Sequence, residues 1–453
     1  MIKLLLNRRP NDVKINEDVI KAAVSNTGCG VAMIKLLFDQ RPNDVKITHG
    51  VVMAAVSNPI FGKDVMKLLL NRRPDDVKIT DGVVMAAVSN RRSGKGIMKL
   101  LLDQRPDDVK IANEVVIAAV RYREDTMKLL LDRRPDDVKI TDEVVITTAK
   151  YGEATMKLLL DRRPSDVKIT NEVVITAVSN TFCGDAMTKL LLDRRPNDVK
   201  ITDEVIMAAA SNSFRGDAIM ELLLDWRLNS IKITNRVVIA AAKCGEDIMK
   251  LLLDRRPDDI KITDEVVITT AKNREATMKL LLDRRPSDVK ITNEMVIAAA
   301  SNSFRGDAMM KLLFDRRPDE VKITDEVVMA AASTMFSGEE TMKLLLNRRP
   351  NDVNINEDVI KAAVSNTGCG EAMVKLLLDR RPDDVKITDE VVIAAASNSF
   401  RGDAIMELLL DRRPDDVKIT DEVVMAAMSN TGCGKDLMKL LLDRRPDDVK
   451  IYR

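Results

Sequence analysis

The sequence predicts an all-α fold, an elongated α-solenoid of about fifteen helix–loop–helix repeats of 29 or 32 residues joined by short extended links. The motif Arg-Arg-Pro, or Gln-Arg-Pro, recurs with prolines at positions 10, 42, 74, 106, 135, 164, 196, 257, 286, 318, 350, 382, 414 and 446, and Leu228 fills the one slot without proline. Each interval holds two apolar segments with helical spacing. Such short helices are not stable alone in water, so the repeats must stack.

The first helix of each repeat, helix A, is predicted to begin after a threonine and two acidic residues. In the repeat at 201–232, Thr202 precedes Asp203 and Glu204, and a run of aliphatic residues and alanines follows. A threonine hydroxyl at this position caps free backbone N–H groups, and carboxylates in the first turn favour the positive end of the helix dipole. Because the run is apolar nearly all round, we expect helix A to lie buried between neighbouring repeats.

The second helix, helix B, is predicted to begin after a glycine and to end at the proline motif. In the same repeat it starts at Asp217 and places Ile219, Met220 and Leu223 on one face. Arginines in its last turn suit the negative end of the dipole, and proline forces the preceding residue out of helical geometry. The link that follows alternates apolar and polar residues, so we expect its aliphatic side chains to face the core and its lysine to face water.

The segment between helix A and helix B, called here the A-to-B loop, accounts for the two repeat lengths. The segment at 211–220 is three residues longer than its counterpart at 243–249. We therefore expect both helices and the link to keep their lengths while the loop shortens at an exposed edge.

We expect a single repeat array over residues 1–453. It comprises a partial first repeat at 1–15 and full repeats over 16–453, without capping repeats. Repeat arrays need polar terminal repeats for solubility. The chain is therefore expected either to be a piece of a longer protein or to pair its ends with other copies.

The repeat motifs also carry a family resemblance. The successive motifs T-D-E-V-V-I-A-A, M-K-L-L-L-D and R-R-P-D-D-V-K-I resemble the ankyrin repeat. They are more closely similar to the ankyrin-like arrays of fungal proteins, some of which are attached to NACHT-type receptors. The resemblance extends over the whole chain and implies a helical repeat array that binds protein and seldom catalyses anything. It does not name the partner.

Composition narrows the class of protein. Lys and Arg number 72 against 71 Asp and Glu, so the one-sided field typical of a protein bound to a polyanion is missing. The longest apolar runs reach about six residues, far below the roughly 20 that cross a bilayer. The five cysteines are far apart and odd in number, which argues against disulfides and zinc and favours reduced thiols in the cytoplasm. These cysteines are Cys29, Cys183, Cys244, Cys369 and Cys433.

A search for catalytic and ligand-binding motifs leads us to expect no catalytic, cofactor-binding or metal site. His49 is the only histidine, so nucleophile–histidine pairs have one possible location, and we interpret it as an exposed residue at a helix start. The Gly-Lys pairs at 62–63, 94–95 and 434–435 lack the phosphate-loop pattern. Paired acids such as Asp258 and Asp259 recur without an accompanying ligand set.

The arginine pairs raise the possibility of a nucleic-acid-binding helical array. Most pairs are preceded by an aspartate and followed by one or two acids after the proline, so acids lie near the arginines within a repeat and in the next one along. A phosphate would have to displace these acids, so we favour salt-bridged helix ends. Nucleic-acid binding is kept as the weaker alternative.

Variation between the repeats concentrates in the A-to-B loops, where aromatic residues and arginines interrupt a surface of lysines and aspartates. These two residue classes dominate the energetics of protein interfaces. Two interpretations stay open: the loops recognise a partner, or each phenylalanine fastens its own loop to the next repeat. The candidate partner-binding residues are Phe61, Arg91, Arg92, Tyr122, Tyr151, Phe182, Phe214, Arg215, Phe304, Arg305, Phe336, Phe400 and Arg401.

The leading functional hypothesis is a non-enzymatic, cytoplasmic scaffold that binds a protein partner through the A-to-B loops and needs no cofactor. The principal alternative is a structural protein whose ends associate head to tail into filaments. No membrane partner is expected.

Overall fold

The computed structural model describes residues 14–122, 124–226 and 231–449, and over these residues the chain forms 28 α-helices, two short 3-10 helices and no β-strand. The chain divides into two compact regions, Met1–Leu228 and Asn229–Arg453. Each is an all-α solenoid in which helix A and helix B alternate, which confirms the predicted fold class. Almost all of the partial first repeat at 1–15 lies outside the described residues, and the organisation of the whole chain as one array stays a prediction.

Among the described residues, the first helix of both regions is a helix A, and helix A and helix B alternate regularly. The helices of the first region are Glu17–Ser25, Gly30–Gln40, His49–Ser57, Gly62–Arg72, Asp81–Ser89, Gly94–Gln104, Asn113–Tyr122, Glu124–Arg133, Asp142–Tyr151, Glu153–Arg162, Asn171–Val178, Gly184–Arg194, Asp203–Ala210 and Gly216–Trp226. Those of the second are Asn235–Cys244, Glu246–Arg255, Asp264–Asn273, Glu275–Arg284, Asn293–Ala300, Gly306–Arg316, Asp325–Ser333, Gly338–Arg348, Glu357–Ser365, Gly370–Arg380, Asp389–Ser397, Gly402–Arg412, Asp421–Ser429 and Gly434–Arg444.

The threonine before helix A caps it in most repeats, as the sequence predicts. Thr80, for example, accepts a hydrogen bond from the backbone N–H of Val83 at 3.4 Å. Thr202 does not cap its helix, but its hydroxyl donates to Oδ1 of Asn171 in the preceding repeat at 3.1 Å. Thr141 does both, since it accepts from the backbone N–H of Val144 and donates to Oδ1 of Asn113 in the preceding repeat.

Packing within each region follows two layers. Each helix A packs against helix A of the next repeat and against its own helix B, and helix B packs on helix B in the same way. Val83, Val84 and Ala87 of one helix A are fully buried, as are Ile97 and Leu101 of the following helix B. Each fully buried valine or leucine contributes roughly 1.5–3 kcal/mol, so most of the stability of a repeat comes from its neighbours.

The link is a turn followed by an extended segment. Pro106–Asp108 and Pro257–Asp259 form single 3-10 turns, and the other described links have an ordinary turn at this place. Val385 in one link is 2% exposed and the next residue, Lys386, faces water. The expected division between aliphatic and lysine side chains is therefore present.

The 29-residue repeats correct one expectation, because their helices do change length. Helix A reaches ten residues in Asp142–Tyr151, against eight in Asn171–Val178, and Gly152 alone separates it from helix B. Tyr122 and Tyr151 therefore lie in the last turn of helix A and not in the A-to-B loop. In this repeat the loop between the two helices is reduced to Gly152, and residues that would belong to a longer loop continue helix A instead.

The paired arginines at the end of helix B join successive repeats. In most repeats the first arginine of the pair reaches an aspartate at the end of the previous helix B, and Arg194 and Asp161, for example, are 2.7 Å apart. These pairs are Arg72–Asp39, Arg133–Asp103, Arg162–Asp132, Arg194–Asp161, Arg284–Asp254, Arg316–Asp283, Arg348–Asp315, Arg412–Asp379 and Arg444–Asp411. The predicted salt-bridged helix ends are thus confirmed for these repeats.

The second arginine holds the preceding link. Arg195 donates to the carbonyl oxygens of Pro164 at 2.9 Å and Val167 at 3.0 Å, and its guanidinium pairs with Asp198 at 2.5 Å. The same type of arginine donates to the carbonyl oxygens of Pro42, Pro74, Pro106, Pro135, Pro257, Pro286, Pro318, Pro350, Pro382 and Pro414. One side chain thus fixes its own turn and the turn of the repeat before it.

The two neighbouring arginines should differ in their contribution to stability. We expect Arg195→Ala to lower the free energy of unfolding by about 1–3 kcal/mol, because it leaves two carbonyl oxygens and a carboxylate without their donor. Arg194→Ala removes one exposed ion pair and should cost less than about 1 kcal/mol. Urea unfolding followed by circular dichroism measures both, and equal losses would contradict the assigned roles.

At one equivalent position of the A-to-B loop, a glycine allows adjacent loops to pack closely, and this occurs at Gly368 and at Gly432. A methyl group on Gly368 would overlap the carbonyl oxygen of Met335 in the preceding loop, and one on Gly432 would overlap that of Ser399. Gly82, at an exposed helix start, has open space instead, with only the Thr80 hydroxyl at 3.7 Å from such a methyl group.

These two environments give a matched prediction. We expect Gly368→Ala to lower the free energy of unfolding by about 1–3 kcal/mol, because the loop must move away from its neighbour. Gly82→Ala should cause no loss and a gain of up to about 1 kcal/mol from helix propensity. Thermal unfolding compares the two variants, and a neutral Gly368→Ala would show that the loops are not in close contact.

Candidate partner-binding edge

A buried asparagine after helix A positions each long A-to-B loop. Asn212 is 5% exposed, and its side-chain amide donates to the carbonyl oxygens of Val178 at 2.9 Å and Asn180 at 3.2 Å in the preceding repeat. Its Oδ1 accepts from the backbone N–H groups of Phe214 at 3.1 Å and Arg215 at 3.0 Å. One side chain therefore shapes its own loop and attaches that loop to the neighbouring repeat.

The same arrangement recurs along both regions. Asn58, Asn90, Asn180, Asn302, Asn366, Asn398 and Asn430 each donate to carbonyl oxygens of the preceding repeat and accept backbone N–H groups of their own loop. Thr334 takes the place of asparagine once and donates to the carbonyl oxygen of Ala300 at 3.2 Å. The sequence analysis did not identify the asparagine as a structural residue. A signal was present, because an asparagine lies four residues before the first glycine of helix B in most long repeats.

Because the asparagine fixes the backbone, the residue two positions later has an equivalent location in each long repeat. Five of the candidate phenylalanines occupy this location and are between 60% and 88% exposed. They are Phe182, Phe214, Phe304, Phe336 and Phe400. We call these five residues the aromatic row. Phe61 lies one position later in its loop and is only partly exposed.

The candidate arginines flank the same location. Arg92 occupies the equivalent position in its repeat, Arg91 precedes it, and both are exposed. Arg215, Arg305 and Arg401 follow the phenylalanine and reach carboxylates of the preceding repeat only at 3.4–3.5 Å. Exposed pairs of this length contribute little to stability, so these guanidinium groups can exchange their acids for others at low cost.

Two of the candidate phenylalanines stack on each other. The rings of Phe304 and Phe336 stack with their centroids 5.2 Å apart, which joins two adjacent loops. The interpretation in which a phenylalanine fastens its loop to the next repeat applies to this pair. Both rings nevertheless remain mostly exposed.

An open groove of about 490 Å³ lies in the first region. Tyr151, at the end of helix A, and Phe182, in the next A-to-B loop, both line this groove. Two cations lie near the ring centroid of Tyr151, Arg121 at 5.5 Å and Lys150 at 5.3 Å. Tyr122, one repeat earlier, does not line this groove.

The environments of Cys183, Cys369 and His49 do not favour a role as nucleophile or general base. Burial raises the pKa of Cys183 and of Cys369, and so lowers the fraction of reactive thiolate. His49 is exposed at the start of its helix. Within residues 14–122, 124–226 and 231–449, no group of three or more His, Cys, Asp or Glu side chains is arranged to hold a metal ion. No helix in this part of the chain has the length and apolar character needed to cross a membrane.

Comparison with known proteins identifies the repeat. No curated protein matches the sequence. The family model described as Domain of unknown function (DUF7104) matches residues 4–33, 36–66, 68–98, 100–125, 129–152, 158–187, 190–220, 222–249, 251–278, 280–310, 312–342, 344–373, 376–406, 408–438 and 440–451. These fifteen matches cover nearly the whole chain, and successive matches mostly meet within helix B. The protein belongs to the DUF7104 family, as a tandem array of that repeat.

Proposed function

We propose that this chain is a non-enzymatic scaffold that binds a protein partner along the edge formed by its A-to-B loops. The aromatic row is the observation that carries the proposal. Five phenylalanines at one equivalent position are 60–88% exposed to water, and three of them are followed by an exposed arginine. Aromatic residues and arginines are enriched at the centres of protein interfaces, and exposed apolar surface of this kind is unfavourable unless a partner covers it.

The contrast between the buried helix residues and the exposed loop residues of each repeat supports this proposal. Helices and links keep the same buried residues throughout, whereas the loops differ in sequence and face solvent. The resemblance of the helix motifs to ankyrin-like arrays, including the fungal arrays attached to NACHT-type receptors, points in the same direction. The five cysteines form no disulfide, which favours a cytoplasmic location, where thiols stay reduced.

The alternatives receive less support. The paired arginines at the ends of helix B already bind aspartates and proline carbonyl oxygens, so a nucleic-acid phosphate would have to break those contacts. The formal net charge is only +1. No contact among the described residues specifically favours a filament. Burial raises the pKa of the Cys183 and Cys369 thiols, and His49 is exposed. None of these three side chains is an activated nucleophile, which fits a role in binding rather than catalysis.

The aromatic row provides the test of the proposal. A variant with Phe182, Phe214, Phe304, Phe336 and Phe400 all changed to Ser should keep its helicity, because these side chains do not contribute to the core. We expect it to lose a protein that the intact chain captures from cell extract, with affinity for the purified captured protein reduced by about tenfold or more. Mass spectrometry identifies the captured protein, and surface plasmon resonance measures the affinity.

A matched control replaces exposed link lysines of the same repeats, Lys168, Lys200, Lys290, Lys322 and Lys386, by Ser. This variant should bind the captured protein with affinity close to that of the intact chain. Equal binding by the phenylalanine variant and the intact chain would show that the partner does not use this edge. Concentration-dependent growth in sedimentation would favour filaments, and binding to single-stranded DNA that weakens steeply with salt would favour a nucleic-acid role.

A further inference from the structure

The groove beside Tyr151 forms where a 29-residue repeat is followed by a 32-residue repeat. In the short repeat, helix A extends to Tyr151 before Gly152 ends it, whereas the next helix A ends at Val178 and its longer loop carries Phe182. The groove lies between these two features. Its shape therefore follows from the change in loop length between neighbouring repeats.

The lining of the groove is apolar with a single positive charge. Ile146, Tyr151, Ile175 and Phe182 contribute bulky apolar surface, and Lys150 is the only charged residue among the nine that line the groove. The other lining residues carry hydroxyl or amide groups and no carboxylate. This lining sets the groove apart from a surface that otherwise mixes acidic and basic residues closely.

The apolar side chains that line the groove are left partly or largely exposed to water by the rest of the chain. Phe182 is 88% exposed and Tyr151 is 49% exposed. Ile146 and Ile175 are only partly buried, although the valines beside them on the same helices are fully buried. A volume of about 490 Å³ lies within the roughly 300–1,000 Å³ typical of clefts that hold ligands. An opening along the surface suits side chains of a passing polypeptide better than an enclosed small molecule.

We propose that this groove binds an acidic segment of a partner protein that carries bulky aliphatic or aromatic side chains. A bulky side chain of the segment packs against the rings of Tyr151 and Phe182 and covers Ile146 and Ile175. Acidic residues beside it face the Lys150 ammonium group, with the nearby Arg121 guanidinium adding to the positive field. The inference rests on the proposed function and narrows it to one site and one class of partner segment.

The second region contains a natural comparison. There a short repeat with helix A at Asp264–Asn273 is followed by a long repeat with helix A at Asn293–Ala300. Asn273 stands where the first region has Tyr151, and Phe304 corresponds to Phe182. Asparagine is therefore accepted at this end of helix A, so Tyr151→Asn removes the ring without disturbing the fold.

The inference can be tested with defined peptides on the intact chain. The probe is a short fluorescein-labelled peptide of aspartate and glutamate with a central Leu-Phe pair. One comparison probe has lysines in place of its acids, and another has Ser-Gly in place of Leu-Phe. Fluorescence anisotropy should show binding of the first probe, with both comparison probes weaker by about tenfold or more. Tyr151→Asn and Phe182→Ser should each weaken the first probe by about tenfold, whereas Phe304→Ser should leave it unchanged.

Circular dichroism and thermal unfolding confirm that each variant is folded. The inference is overturned if the acidic probe fails to bind, if the lysine probe binds equally well, or if neither Tyr151→Asn nor Phe182→Ser weakens binding. If any of these results is obtained while the five-phenylalanine variant still loses its captured protein, the groove inference alone is wrong. If the groove variants behave as expected while the capture experiment fails, the loop edge as a whole is not the partner surface.

Discussion

The structure depends on the burial of short helices against adjacent copies of the same repeat. Helices of eight to eleven residues cannot persist alone in water, and here each presents its valines, leucines and alanines to the helices before and after it. Two kinds of polar side chain fix the register in which the repeats stack. The asparagine after helix A and the second arginine after helix B each donate to backbone carbonyl oxygens of the preceding repeat. Every repeat is thus completed by its neighbour.

This mode of construction separates the residues that hold the array from those available to a partner. The arginine pairs, abundant as they are, are occupied by aspartates and proline carbonyl oxygens. The A-to-B loop is held by one buried asparagine, which leaves its other side chains free to vary. Aromatic residues can therefore be exposed at equivalent positions in the loops without disturbing the core, and a change in loop length creates a groove between neighbouring repeats.

Much of the fold could be predicted from the sequence because the signals repeat. The proline spacing defines the repeat, and the acids around each Arg-Arg-Pro predict the ion pairs that Arg194 and Arg195 form. The asparagine recurs at a constant distance before helix B, but its role is not evident from the sequence, since asparagine is common in any turn and its contacts with Val178 and Asn180 cross between repeats. Likewise, Tyr151 was expected in a loop, and its place in the groove that Phe182 also lines depends on how far helix A continues. Such effects appear only once the repeats are stacked.

Removal of one complete repeat from the second region tests most directly whether stacking in register holds the fold together. Deletion of residues 354–385 removes 32 residues and joins Val353 to Lys386, so the alternation of helix A and helix B is preserved. Deletion of residues 354–369 removes one helix A and breaks the alternation. In circular dichroism with thermal unfolding, the first variant should retain the mean helicity and cooperative transition of the intact chain, and the second should lose both. Equal behaviour of the two variants would contradict stacking in register as the source of stability.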